Sequence, residues 1–420
     1  MLLLAFLNTV TSNQHSAATL RMGDQKQEAS ETKHFPWHLG AFDAHCHPTD
    51  TVPSLDSIAG MKTRALTIMA TRGQDQRLVA DFADKLGITE DTVPALESTS
   101  TSGEKSRGYI VPAFGWHPWF SHQIFVGAKD EMPSKFNHYR MAISPSPEDD
   151  DFIASLPDPR PLSDLLDQTR HYLERYPHAI VGEIGLDRAF RIPRNEMVDN
   201  GYERDPALTP GGREGRRLSP YRVDMRHQQN IMKAQLNLAG EMQRAVSVHG
   251  VAAHGVVFET LEETWRGHER RSISKRERKR RESIDVAHQE KKKSEADEQS
   301  SKPGDPKPFP PRICLHSYSG PADTLRQYLH PSVPAIMFFS FSRLVNFSST
   351  SNKAVAAIQA VPDDKILAES DMHAAGEKMD DLLEDIVRKI CQIKGWTLEE
   401  GLKQLRSNWL HYVFGQTRER

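Results

Sequence analysis

The chain has 420 residues, of which 37% are hydrophobic and 26% are charged, and its net charge at pH 7 is −3. This composition indicates a globular protein with some segments outside the core, and the near-neutral charge excludes a globally basic nucleic-acid binder. No run of about 18 apolar residues occurs, so no membrane span is predicted. Three cysteines are too few for a disulfide framework, so we expect a protein of a reducing, intracellular compartment.

The first predicted unit is a flexible N-terminal segment, residues 1–40. A secretory signal would have a positively charged region before its apolar run, but none precedes the apolar run 2–7 of this chain. Arg21 is the only arginine ahead of Met22. Met22 is an alternative start. We expect a cytoplasmic or nuclear location, or both, with mitochondrial targeting by the N-terminus left open.

Eight short runs rich in apolar, β-branched and aromatic residues follow, and they predict strands. The predicted strands are Ala41–His47, Ala65–Thr71, Tyr109–His117, Ala179–Asp187, Ala245–Val251, Ile313–Tyr318, Ala335–Ser342 and Lys365–Asp371. Helical patterns lie between them at Asp75–Leu86, Leu162–Tyr176, Tyr221–Arg244, Gly255–Trp265 and Lys353–Val361, and two more follow at Met379–Lys394 and Thr397–His411. This alternation predicts an α/β fold, a (β/α)8 TIM barrel with two extra C-terminal helices. A doubly wound open sheet is the alternative, but it usually carries a glycine-rich turn after its first strand, and this chain has none there.

The predicted barrel domain, residues 41–420, is longer than the roughly 250 residues that a bare barrel needs, so it must contain loop insertions. Residues 119–161 and 188–219 fall between a strand and the following helix, which places them on the C-terminal face. Residues 87–107 and 266–311 fall between a helix and the next strand, so we expect them on the opposite face.

The insertion 266–311 is strongly basic. Between Arg266 and Lys293 it holds twelve Lys or Arg residues against five Asp or Glu, and a proline-rich stretch, 302–308, follows. This composition cannot bury a core, so we predict a disordered segment or an exposed helix with a flexible tail. The run 275–281 fits a nuclear-localisation signal or a DNA tether as well as a solvated loop, and the insertion is a candidate site for a protein partner.

Metal-ligating residue types lie at the ends of several predicted strands. Asp43, His45 and His47 alternate along the first strand, so a regular strand would point all three toward the barrel axis, with Asp43 able to orient an imidazole. Carboxylate or imidazole side chains also end four later strands, and these residues are Glu183, His249, His316, and Glu369 with Asp371. In a barrel these ends meet at one mouth, where so many buried polar groups are costly unless they share a cation.

The candidate ligands are too many for one catalytic ion with open positions. We therefore expect two divalent ions about 4 Å apart, with Glu183 bridging them. Mixed nitrogen and oxygen ligands do not decide between Mg, Mn and Zn. Asp371 is placed to accept a proton from the attacking water as well as to ligate.

Three further residues are candidates for substrate contact. His117 ends the third strand beside two tryptophans, where it either contacts a phosphate or belongs to a rigid strand exit. Arg188 and Arg191 begin an insertion on the catalytic face, where each is either a phosphate clamp or an ordinary solvated arginine.

At these residues the sequence resembles the TatD family of metal-dependent hydrolases, within the amidohydrolase-like superfamily. The matching segments, in chain order, are Phe42–His47, Gly115–Pro118, Gly182–Asp187, Val248–His249, His316–Gly320 and Glu369–Asp371. The resemblance implies hydrolysis of phosphodiesters, typically of DNA, by a metal-activated water. It also implies a set of metal ligands, namely His45, His47, Glu183, His249, His316 and Asp371.

Other features place the chain in a particular part of this family and leave alternatives open. The segments 186–193 and 369–373 resemble a fungal branch, described as associating with a cell-cycle ubiquitin-ligase subunit. Trp119, Val251 and Met372 stand where many bacterial members have a histidine, an arginine and a small residue. The alternatives are therefore an amidohydrolase-type enzyme for esters, amides or lactones, and a scaffold protein of the ubiquitin-ligase machinery.

Overall fold

The computed structural model describes residues 34–97, 108–197, 204–270, 307–348 and 352–415. An eight-stranded sheet lies at its centre, and its strand order follows the sequence with every neighbouring pair parallel. The strands are β1 Phe42–Cys46, β2 Ala65–Met69, β3 Tyr109–Phe114, β4 Ile180–Asp187, β5 Val246–Val251, β6 Arg312–Leu315, β7 Ile336–Ser342 and β8 Ile366–Glu369. All eight predicted strands are confirmed, most of them shorter at their ends than predicted.

The first and last strands meet at their C-terminal ends, which closes the sheet as a barrel. The backbone N–H of Asp371 donates to the carbonyl oxygen of His45 at 3.1 Å, and that of His47 donates to Met372 at 2.8 Å. Asp43 Oδ1 accepts from the backbone N–H of Ser370 at 3.1 Å. The predicted TIM barrel is thus confirmed, because an open doubly wound sheet would leave its outer strands apart.

The inward face of β1 differs from the prediction at Asp43. Asp43 pairs with Leu66 but Cys46 pairs with Ile68, so β1 contains one extra residue, a β-bulge, between them. Leu66 and Ile68 pack in the outer apolar layer, and Asp43 shares their side of the sheet. The expectation that Asp43 points the same way as His45 and His47 is therefore wrong, since a bulge reverses the side-chain alternation.

The strands alternate between two apolar layers. On β2, Ala65 and Met69 face the barrel interior, whereas Leu66 and Ile68 pack against surrounding helices. The helices of the described residues are α1 Gln76–Leu86, α2 Val93–Glu97, α3 Lys135–Ala142, α4 Asp150–Ser155, α5 Leu162–Arg175, α6 Met225–Glu241, α7 His254–Trp265, α8 Ala322–Tyr328, α9 Arg343–Asn346, α10 Lys353–Ala360, α11 Glu377–Lys394 and α12 Leu398–Phe414. None of these helices combines the length and apolar character that crossing a bilayer requires.

Helix α12 closes the N-terminal end of the barrel. The Trp409 ring lies 4.9 Å from that of Phe42, and its Nε1–H donates to Thr67 Oγ1 at 3.1 Å. Arg312, the first residue of β6, donates through Nε to the carbonyl oxygen of Tyr412 at 2.7 Å. The two predicted C-terminal helices are present as α11 and α12, and the second of them is part of the barrel core.

The two insertions on the C-terminal face are joined to each other. A short strand of the first insertion, Ile143–Ser144, pairs antiparallel with Arg222–Val223, which follows the second. The second insertion also reaches the loop after β1, where the backbone N–H of Thr209 donates to Asp50 at 2.9 Å. These contacts form a partial wall around the barrel mouth.

Parts of two predicted segments lie outside the described residues. Of the segment 1–40, the structure describes 34–40, in which Phe35 and Leu39 are buried in the core. Of the basic insertion, only 266–270 and 307–311 are described. The predictions for residues 1–33 and for the charged run 275–281 stay predictions.

Candidate metal centre

The six candidate ligands come together at the C-terminal end of the barrel. His45 lies in β1 and His47 directly after it, Glu183 lies in β4 and His249 in β5. His316 directly follows β6, and Asp371 comes two residues after β8. The ligand atoms lie within 4.8 Å of one another in two three-residue groups of these side chains, His45 with Glu183 and His316, and His45 with His47 and Asp371. His249 forms a further such group with Glu183 and His117. The convergence predicted from separate strand ends is present in the structure.

The two carboxylate oxygens of Glu183 face two different groups. Oε2 lies 3.4 Å from His45 Nε2 and 3.3 Å from His47 Nε2. Oε1 lies 2.8 Å from His249 Nδ1 and 2.7 Å from His316 Nε2. Asp371 belongs to the first group, because its Oδ1 lies 3.6 Å from His47 Nε2. One carboxylate is therefore shared by two neighbouring sets of ligands.

The donor atoms around Glu183 fit a cation. His249 Nε2 lies 3.2 Å from Asp187 Oδ2, and because a carboxylate only accepts, a neutral His249 carries its proton on Nε2. Its Nδ1 lone pair then points at Glu183 Oε1, so two acceptors face each other unless a proton or a metal ion lies between them. The separations around Glu183 match ligands bound at about 2.0–2.2 Å to a common ion.

The electrostatics of the cluster favour an ionised Glu183. Burial alone would raise the pKa of this carboxyl, but its interactions with the imidazoles of His117, His316 and His45 hold that pKa well below its ordinary value. Burial alone would likewise lower the pKa of His47, yet the hydrogen bond with Asp371 and the Glu183 charge raise it to about 9. The buried Glu183 carboxylate is thus stabilised by positive charge on neighbouring histidines. A bound cation would supply the same positive charge at this place.

His117 enters the cluster as a hydrogen-bond donor. The backbone N–H of Trp119 donates to its Nδ1 at 3.1 Å, so the proton of the neutral ring lies on Nε2. Nε2 then donates to Glu183 Oε1 at 3.2 Å. Burial lowers the pKa of His117 to about 4, which keeps the ring neutral near pH 7. The group His117, Glu183 and His249 could also hold a metal ion, so the role of His117 in substrate contact stays a prediction.

The two arginines predicted to contact substrate lie away from the ligands. Arg188 is exposed and Arg191 is half-buried at the start of the second insertion. Among the described residues, no hydrogen bond or ion pair joins either guanidinium to the six candidate ligands. Their role in substrate binding stays a prediction.

Sequence analysis assigns no role to two supporting residues, Ser247 and Asp187, and identifies Glu369 only as a carboxylate at the end of a strand. Ser247 Oγ lies 2.8 Å from His45 Nδ1, and it takes the orienting role that was expected of Asp43. Asp187 orients His249, and Glu369 Oε1 lies 3.5 Å from His316 Nδ1. Each lies two residues from a candidate ligand or at the end of a strand that carries one. Strand alternation could therefore have predicted that they face the same side as the candidate ligands.

Comparison with known families shows to which family this chain belongs. The profile of the family described as TatD related DNase matches residues 42–413, which include every candidate ligand. The chain belongs to this family. The resemblance predicted from six short segments is therefore confirmed, and membership supports a hydrolase whose His, Glu and Asp clusters could hold metal ions.

Similar proteins within the TatD family carry different names. The Cut9-interacting protein scn1 of Schizosaccharomyces pombe is 35% identical over 370 residues, which cover 87% of this chain and 96% of that protein. An uncharacterized deoxyribonuclease of Saccharomyces cerevisiae is 26% identical over 269 residues, covering 63% of this chain and 67% of that protein. The crystal structure of a TatD family hydrolase from Entamoeba histolytica has a TM-score of 0.50 at 11% identity, over 90% of this chain and 99% of that one. This last likeness concerns the fold alone.

Proposed function

We propose that this TatD-family protein is a metal-dependent hydrolase that cleaves phosphodiester bonds, with DNA as its substrate. The observation that carries the proposal is the Glu183 carboxylate, whose two oxygens face two separate ligand sets. His45, His47 and Asp371 would hold one divalent ion, and His249 and His316 the other, with Glu183 shared. Two such ions, Mg, Mn or Zn, would polarise the phosphoryl group and lower the pKa of the attacking water.

Two residues of the chain would handle protons and substrate at this centre. The Asp371 side chain is 12% exposed, against 7% or less for the other five ligands, so it is the carboxylate best placed to accept a proton from the attacking water. His117 would donate its Nε2–H to a phosphoryl oxygen in place of Glu183. Its low pKa keeps the ring neutral but leaves that donor available.

The charge of the second insertion supports a polyanionic substrate. Residues 188–197 and 204–226, which belong to or adjoin the second insertion, contain nine arginines against four acidic residues. Arg188 and Arg191 lie at the start of this arginine-rich rim, directly after β4. Because contacts to phosphates dominate the affinity of proteins for nucleic acids, such a rim favours DNA over a small neutral ester or amide.

The first prediction tests the centre itself. His45→Ala and Glu183→Ala are expected to abolish hydrolysis of bis-p-nitrophenyl phosphate and of DNA, because each removes a ligand of the shared centre. The purified variants should keep a native circular dichroism spectrum but hold less metal in elemental analysis. Glu259→Ala, which changes an exposed carboxylate on α7, is the matched control and should behave as wild type.

Chelation extends this test to the natural protein. Removal of divalent ions should abolish turnover, and adding back Mg, Mn or Zn one at a time should restore it and identify the ion. Turnover that survives in a protein free of metal would contradict the proposal. Faster hydrolysis of ester, amide or lactone substrates than of phosphodiesters would favour the amidohydrolase alternative.

A protein-binding role is a second candidate, favoured by the name of the fission-yeast relative, which describes an interaction. We propose that this chain also binds a protein partner, through the basic insertion 266–311. Deleting 266–308 should then abolish capture of the partner and spare hydrolysis, whereas Glu183→Ala should do the reverse. Capture lost in both variants would contradict a separate binding segment.

A further inference from the structure

We propose that Trp119 is a positioning residue for the ion held by His249 and His316, acting through Asp187. The inference rests on the proposed two-ion centre. Trp119 Nε1–H donates to Asp187 Oδ2 at 2.6 Å, and the same oxygen lies 3.2 Å from His249 Nε2. An indole, a carboxylate and a candidate metal ligand therefore form one continuous line of hydrogen bonds.

Both oxygens of the Asp187 carboxylate are held in place. Oδ1 accepts from the backbone N–H groups of Ala189 at 2.7 Å and Phe190 at 2.9 Å. Oδ2 is left to the indole and the imidazole. Because a carboxylate only accepts, Asp187 fixes the proton of a neutral His249 on Nε2 and its lone pair on Nδ1.

The indole itself has little freedom to move. Its ring stacks on Phe190 with centroids 4.7 Å apart and an interplanar angle of 10°. Its backbone N–H is the donor that sets the proton position of His117. Trp119 thus sets the orientation of two of the three imidazoles beside Glu183 Oε1, that of His249 through its side chain and Asp187, and that of His117 through its backbone.

The effect of losing the indole N–H should be confined to one side of the centre. Hydrogen bonds to the outer nitrogen of a ligating histidine commonly contribute about 10-fold to 100-fold in metal affinity. His45 and His47, beside Glu183 Oε2, depend instead on Ser247 and Asp371. A change at Trp119 should therefore weaken one ion and leave the other bound.

The test is calorimetric titration of the metal-free, full-length protein with Mn²⁺, which does not depend on turnover. Trp119→Phe keeps an aromatic ring that can stack on Phe190, and it removes the N–H donor together with the five-membered ring. We expect wild type to bind two ions, and the variant to bind one of them unchanged and the other about 10-fold to 100-fold more weakly. The retained tight site shows in the same titration that the variant is folded. Trp265→Phe, a buried tryptophan of α7, is the matched control and should change neither affinity.

A double-mutant cycle separates positioning from simple packing. If Trp119 acts through Asp187, then Trp119→Phe combined with Asp187→Asn should bind Mn²⁺ no more weakly than Asp187→Asn alone. Fully additive losses would overturn the inference, as would two unchanged affinities in Trp119→Phe. A wild-type protein that binds only one Mn²⁺ would overturn both the two-ion centre and this inference. If wild type and Trp119→Phe each bind two Mn²⁺ ions with the same two affinities, the role of Trp119 is overturned but the two-ion centre is not.

Discussion

Gly185 lies in β4, between the shared ligand Glu183 and the orienting residue Asp187. Its φ is +148°, and a Cβ atom built there would lie 2.1 Å from the carbonyl oxygen of His249. Strands β4 and β5 therefore approach so closely at this point that only glycine fits. This approach brings His249 within reach of both Glu183 and Asp187.

Gly185→Ala should consequently damage both stability and the site. The added methyl group has to push β5 away from β4, so we expect a loss of about 1–3 kcal/mol in the free energy of unfolding and a lower affinity for divalent ions. Urea denaturation and Mn²⁺ titration measure the two effects. Gly255→Ala in α7 is the control, because nothing lies within 4 Å of its added Cβ. That substitution should be neutral or slightly stabilising, and an equal loss in both variants would contradict the steric explanation.

The convergence of the candidate ligands could be predicted from the sequence, whereas the residues that support them could be predicted only in part. His249, His316 and Asp371 each follow or end a strongly apolar strand, so their convergence needs only the barrel topology. Asp43 was misplaced because the bulge in β1 depends on pairing with β2 and leaves no trace in the alternation of β1 itself. Trp119 donates to Asp187 across 68 positions of chain, and only the folded insertion brings the two together.

At the scale of elements, Arg72 connects three segments around the barrel mouth. It follows β2 and donates through Nη2 to Asp50 Oδ1 at 2.8 Å, and Nη1 lies 3.3 Å from Asp75 Oδ2. Its Nε donates to the carbonyl oxygen of Pro210 at 2.9 Å, in the second insertion. The guanidinium thus ties the loop after β1 and the insertion to the start of α1, and its side chain is only 4% exposed.

Arg72→Ala should be strongly destabilising, because it leaves two carboxylates without their shared positive charge. Removing one partner of a buried ion pair typically costs about 3–5 kcal/mol, which urea denaturation would detect. Arg77→Ala is the control, since Arg77 and its partner Asp81 are 86% and 52% exposed. The control should change the free energy of unfolding by less than about 1 kcal/mol. Similar values for the two variants would show that the Arg72 network is not stabilising.

At the scale of the whole molecule, the two ends of the barrel have separate roles. The C-terminal end holds the candidate ligands and both insertions, whereas the N-terminal end is filled by α12, with Trp409 packed on Phe42. Length and alternation were enough to predict the eight strands and the two last helices. They could not predict that α12 packs into the barrel, since an amphipathic helix pattern does not say which surface covers it.

Trp409→Ala should therefore lower stability without altering chemistry. Truncating a fully buried tryptophan typically costs about 3–5 kcal/mol. Trp409→Phe should cost less, because it keeps an aromatic ring against Phe42 and loses the hydrogen bond to Thr67 and part of the ring volume. Thermal or urea unfolding gives this order, and kcat of the folded Trp409→Phe variant should match wild type. A large fall in its kcat would contradict the separation of the two ends.

The seam between β1 and β8 has a consequence for synthesis of the protein. His45 and Asp371 come from opposite ends of the barrel sequence, and they become neighbours only when the backbone of Asp371 bonds to that of His45. A chain still emerging from the ribosome lacks this last ligand until β8 has been translated. The proposed hydrolytic centre would therefore be complete only late in synthesis, and shorter chains would lack it.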